Sequence, residues 1–165
     1  MEKKAYFMRG NPQKNDNQFN YNRGFDRDLN IMKDLAEKNG YSVEFIGDNS
    51  FVDQSSDTDT LFYYVGHAND GSFEGSSIES IISSIKGNCG KKTIILDACA
   101  GGDRIANLDL PKNSKIITAS EVPLNQSIAM MLWDYVYAYK GNLEEINKKD
   151  FDNMKHNWIY VKESE

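Results

Sequence analysis

The sequence predicts an α/β domain organised on a mostly parallel sheet, and three observations predict it. Short runs of β-branched, aromatic and aliphatic residues, bounded by Gly and polar residues, recur along the chain. Between them lie segments whose apolar residues fall three and four apart, the spacing of a helix with one buried face. Two of the apolar runs, 61–66 and 93–98, lead directly into His67 and Cys99, so parallel neighbours would deliver an imidazole and a thiol to one edge of the sheet. Alternation of this kind covers a sheet on both faces. The chain of 165 residues shows no internal repeat and no linker, and reads as one domain with a core of its own.

Residues 4–9 form a first strand, halted by Gly10, Asn11 and Pro12. Residues 13–22, rich in Asn, Gln and Asp, read as an exposed loop. A helix is expected from about Asp26, with Leu29, Met32, Leu35 and Ala36 on one face and a stop at Asn39 and Gly40. Residues 41–46 alternate as a second strand, and 47–60, dominated by Asp, Ser and Thr, read as a loop. The third strand is 61–66. Ser76 and Glu79 make a Ser-x-x-Glu capping box for a connecting helix in which Ile78, Ile81, Ile82 and Ile85 keep helical spacing, with Gly87 and Gly90 closing it. Strands four and five follow at 93–98 and 114–120. Asn125 is expected to cap a long helix whose Ile128, Met131, Leu132, Tyr135, Val136 and Tyr139 form a stripe for core packing. Leu143, Ile146, Asp150 and Met154 suggest a further helix, and 158–161 a last strand.

Composition removes several classes of function. Hydrophobic residues make up 39% and aromatics 12%, as in an ordinary globular chain. The formal net charge is -6 and no basic cluster is present, which argues against a nucleic-acid partner. No stretch approaches the roughly 20 apolar residues of a membrane span, and the apolar run before Arg9 is too short for a signal peptide. With only Cys89 and Cys99, a disulfide framework is not the design, so a reducing, cytoplasmic location is expected. Two His and two Cys give a zinc site little to draw on, and no metal or organic cofactor is expected.

What remains is a thiol beside an imidazole, the minimum for a cysteine nucleophile. A free Cys is most often buried and inert, but Cys99 follows a strand end and precedes Gly101 and Gly102, a turn that would expose it. His67 gains a role as general acid and base only from that partner. Cys89, between Asn88 and Gly90, is a bystander, and His156 belongs to a polar helix end. Asp97 alternates with Cys99 and shares its side of the strand. An unpaired carboxylate there is costly to bury, which favours a site that receives a cation.

The blocks Phe62-Tyr63-Tyr64-Val65-Gly66-His67-Ala68 and Ile94-Ile95-Leu96-Asp97-Ala98-Cys99-Ala100-Gly101-Gly102 resemble the caspase-like superfamily of cysteine peptidases, which includes caspases, metacaspases and clostripain-type enzymes. Arg23-Gly24-Phe25-Asp26-Arg27-Asp28, followed by Asn39-Gly40-Tyr41, resembles that family's first crossover, and the resemblance covers roughly residues 4–120. It implies a three-layer sandwich with a six-stranded sheet in the order 2-1-3-4-5-6, the last strand antiparallel. It also implies peptide-bond hydrolysis through an acyl-enzyme, with Cys99 as nucleophile, His67 as proton carrier, and the N–H groups of Ala68 and Cys99 as the oxyanion hole. Ala68 stands where the family most often has Gly, and the His-to-Cys interval is shorter than the ~50 residues of caspases. Caspases read Gln-Ala-Cys; Asp97-Ala98-Cys99 resembles the metacaspase and clostripain pattern, which implies cleavage after Arg or Lys. Asp28 matches a second acid of that pocket, although an Asp in the first turn of a helix is stabilised by the macrodipole without any ligand. Arg23, or Asn22 beside it, stands where caspases carry the arginine that binds acidic substrates; here an Arg would pair with Asp26 or Asp97.

The expected partner is therefore a peptide or protein substrate. Two rivals stand beside this reading. One is a caspase-like domain used as a scaffold without turnover, motivated by the short C-terminal third. The other is a flavodoxin-like binding module, which would need a Gly-rich phosphate loop after strand one, and Arg9-Gly10-Asn11-Pro12 is not one.

Overall fold

The computed structural model describes residues 2–10, 18–46, 58–66, 72–73, 76–77, 83, 89–98, 108–119, 127–136, 142–147, 149 and 159–164. Six strands form one sheet: β1 (Lys3–Arg9), β2 (Ser42–Phe45), β3 (Asp59–Val65), β4 (Lys92–Asp97), β5 (Ser114–Ala119) and β6 (Ile159–Glu163). Their order is β2-β1-β3-β4-β5-β6, parallel throughout except for the antiparallel pair β5 and β6. The expected order and the antiparallel last strand are both present.

Every residue of β3 and of β4 is buried, which is why these strands read as unbroken apolar runs rather than as alternating ones. One face of the sheet, carrying Phe7, Leu61, Tyr63, Val65, Ile95 and Ile117, packs under α1 (Gln18–Lys38) and α2 (Ile128–Tyr135). The opposite face carries Met8, Phe62, Tyr64, Ile94, Leu96 and Ile116, with Leu108 and Leu110 against it. Both helices thus cover the same face. The expected connecting helix, with Ile78, Ile81, Ile82 and Ile85, lies outside the described residues apart from Ser83, which is helical.

The end of α1 follows from its sequence. Gly40 takes φ +87°, the Gly40 N–H donates to the Glu37 carbonyl, and the Tyr41 N–H reaches back to Ala36, a reciprocal pair that closes the last turn. Asn39 adds a link across the molecule: its Nδ2 donates to Leu35 O and its Oδ1 accepts from the Leu143 N–H.

Several elements differ from expectation. Helix α1 begins at Gln18, so 18–22 is helical rather than loop. The Asn-rich composition of that stretch argues against helix on propensity. Strand β3 begins two residues before Leu61, because the Asp59 N–H donates to Glu2 O and Asp59 Oδ1 accepts from the Lys91 N–H. Ser76 and Ser77 do not start a helix. They pair antiparallel with Ser72 and Phe73 in a small ribbon. The cap of α2 is Ser127, whose Oγ accepts from the Met130 N–H; Asn125 lies outside the described residues.

The further helix expected from Leu143 does not start there; Lys149 is helical, and Asp150 and Met154 lie outside the described residues. Residues Leu143–Glu145 make a single 3-10 turn capped by the Asn142 side chain, and Ile146 leaves it with extended backbone. Lys115 Nζ donates to the carbonyls of Glu144 and Ile146, occupying acceptors that a longer helix would need for itself.

Candidate functional site

The site sits at the carboxyl ends of β1, β3 and β4. Val65 is paired with Asp97 in parallel register, the Gly66 N–H donates to Asp97 O (3.3 Å), and the Gly10 N–H donates to Val65 O (2.8 Å). Glycine is needed at position 66, because a Cβ there would lie 2.5 Å from the Tyr64 hydroxyl and 2.9 Å from Gly10 Cα. His67 follows Gly66, and Cys99 follows Ala98, which is buried at the end of β4. His67, Ala68 and Cys99 themselves lie outside the described residues, as does the side chain of Arg23 in α1.

Asp97 and Asp28 are described, and the fold brings them together. Asp97 is 5% exposed and Asp28 4%. The Tyr63 hydroxyl donates to Asp97 Oδ2 at 2.7 Å, and the first turn of α2 supplies two more donors, Ile128 N–H to Oδ1 (3.0 Å) and Ala129 N–H to Oδ2 (3.1 Å). A carboxylate at a helix N-terminus is favoured by the unsatisfied N–H groups and by the dipole. The expectation of an unpaired Asp97 is therefore corrected: three internal donors hold it. Asp28 accepts from Ser127 Oγ (3.0 Å) and from Arg27 Nε (3.1 Å) through the same oxygen. With α1 starting at Gln18, Asp28 is well past the first turn, so the macrodipole of its own helix does not account for it; the cap of α2 does.

Burial dominates the titration of this cluster. It raises Asp97 to about 6, with the Asp28 charge pushing the same way and the bonds from Tyr63, Ile128 and Ala129 opposing. Asp28 is also raised, by burial first, against the pull of Arg27. Tyr63, fully buried beside these acids, is held well above the ordinary phenol range by burial and then by Asp97. Asp26, a candidate partner for Arg23, carries Arg9 at 3.1 Å. Cys89 is an exposed free thiol.

Sequence reasoning did not single out Tyr63 or Ser127, nor the start of α2. One signal was present for Tyr63: a tyrosine within a fully buried strand must find a partner for its hydroxyl. The described cluster can hold a proton or attract a cation; Asp97 stands at the strand end that leads to Cys99, and Asp28, in α1, is bonded to the cap of the helix turn that holds Asp97. Among the described residues no group of three or more potential metal ligands is present. No described helix is long and apolar enough to cross a membrane. Compared with protein-family models and with curated proteins, the chain matches none.

Proposed function

We propose that the chain is a caspase-like cysteine peptidase with a Cys99 and His67 dyad that cleaves after basic residues. The observation that carries the reading is register: β3 and β4 are hydrogen-bonded parallel neighbours with Val65 opposite Asp97, and His67 and Cys99 each stand two positions further on. Adjacent stems of equal reach suit a thiol and a base that must come within hydrogen-bond distance. The thiolate attacks the scissile carbonyl, His67 passes the proton to the leaving amine, and the N–H groups of Ala68 and Cys99 take up the oxyanion charge. Asp97 and Asp28, buried as a pair beside this edge, favour a guanidinium or ammonium group and repel an acidic one. Each charge-assisted hydrogen bond contributes about 1.5 to 3 kcal/mol.

A fluorogenic peptide panel tests the reading. Arg and Lys peptides should be cleaved and Asp peptides refused. Cys99→Ala should abolish turnover and Cys89→Ala should leave it intact. Equal loss from both, or preference for Asp, would overturn the assignment and return attention to Arg23. The scaffold reading has one observation in its favour, since both acids are already bonded inside the protein. No cleavage of any peptide, with Cys99 still alkylated normally, would select it.

A further inference from the structure

We infer that Asp28 and Asp97 hold one proton between them across the first turn of α2, so that the charge presented at this end of the sheet is set by pH. The argument is geometric. Ser127 binds Asp28 while the next two residues, Ile128 and Ala129, bind Asp97, so two nearly inaccessible carboxyl groups straddle a single helical turn. Two like charges so placed resist simultaneous ionisation. Among the described residues, the charged and titratable groups that face the pair are few. Tyr63 from β3 donates a hydrogen bond and stays protonated, and Arg27 from α1 contributes the only cation bonded to either acid among the described residues. The first turn of α2 offers Ser127 and main-chain N–H groups and no ionisable side chain. One cation against two anions leaves one negative charge to be relieved, and a proton is the means within the cluster. Burial raises both acids, in agreement with this count.

The donors also show where the proton resides. All the donors to Asp97 require its oxygens as acceptors, whereas both donors to Asp28 use Oδ1 and leave Oδ2 without a bonded donor among the described residues. The proton is a property of the pair, and Asp28 Oδ2 is the position that can carry it without disturbing another bond. The existence of the shared proton does not depend on peptidase activity. Its consequence for cleavage rests on the reading above: a basic side chain would meet a singly charged pair at mildly acidic pH and a doubly charged one above the transition.

The test is a carboxyl-carbon NMR titration of the intact chain between pH 4 and 8. One transition above the ordinary aspartate range should appear in both Asp28 and Asp97, and the Ile128 and Ala129 amide resonances should move at the same midpoint. Asp28→Asn should shift the Asp97 transition to lower pH, because it removes the like charge. Arg27→Gln should shift it to higher pH, because it removes the cation; the Arg27 side chain is 54% exposed, so this variant keeps its packing even if Asp28→Asn does not fold. Tyr63→Phe should also shift it upward. Ordinary aspartate titration of both acids in wild type, or a transition that ignores Arg27→Gln, would overturn the inference. Under the peptidase reading, KM for an Arg peptide should rise as pH falls through the same midpoint while the rate of Cys99 alkylation follows its own profile. Loss of cleavage with an intact carboxyl transition would count against the peptidase and not against the shared proton.

Discussion

Asp97 shows how far a single residue can be read from sequence. An acid two positions before a candidate nucleophile, at the end of a buried strand, marks itself as unusual without any structure. Its partners could not be read, because they come from Tyr63 on the neighbouring strand and from a helix turn 31 and 32 positions further along the chain. The raised titration has a sign that can be measured. A carboxyl group whose folded-state pKa lies above its unfolded value binds protons more tightly when folded, so its contribution to stability is complete below the unfolded value of 3.8 and is lost as pH rises through about 6. Glu144 runs the other way. Lys3 holds it below its ordinary range, so its contribution is present above that range and lost as pH falls through the lowered value. Urea denaturation across a pH series should therefore find the chain more stable near pH 5 than at pH 7.5, with a contribution from Asp97 on the order of 1 kcal/mol over that interval. A steady decline from pH 7.5 to pH 5 would contradict the assignment. Asp28→Asn should flatten the slope.

At the scale of elements, the strands, the apolar stripes and the stop of α1 at Asn39 and Gly40 were legible, and the helix starts were not. Stripes are set by burial, which the sequence encodes directly, whereas caps depend on which of several polar residues finds a backbone N–H. Asn125 and Ser127 are both good caps by type. Ser127 serves because its hydroxyl can accept from Met130 N–H while donating to Asp28. Ser127→Ala should lower the melting temperature, at a cost of about 1 to 2 kcal/mol for the cap and the bond together. Helix α1 offers the opposite change. Gly24 lies inside it, with nothing within 4 Å of the position a Cβ would take, so Gly24→Ala should gain about 0.5 to 1 kcal/mol in the same thermal unfolding experiment. A neutral or negative result would mean that the start of α1 does not persist as helix in solution.

For the molecule as a whole, a mostly parallel sheet was legible because alternating strands and helices admit few arrangements. The antiparallel last strand and the order 2-1-3-4-5-6 came from resemblance, and the pairing of β1 with both β2 and β3 and of β5 with β6 agrees with them. His67 and Cys99 are proposed from a pattern of two strand ends, and the structure describes those strands as far as Gly66 and Ala98. The acidic pair was legible in its members but not in its bonding, since hydrogen bonds between distant segments leave no local mark in a sequence.

The position of β1 between β2 and β3 also has a kinetic consequence. Both of its neighbours come later in the chain, and its pairing with β3 joins Lys3 to Asp59 and Arg9 to Val65, so a long loop must close before the sheet has a middle. Parallel pairing of this kind places a chain among the slower folders, in milliseconds to seconds rather than microseconds. The β1, α1, β2 unit can assemble early from local contacts but presents an unpaired inner edge until β3 arrives. Pulse-labelled hydrogen exchange during refolding should therefore show the amides of β1 facing β3 gaining protection together with those of β3 and β4, in one phase, after α1 is already protected.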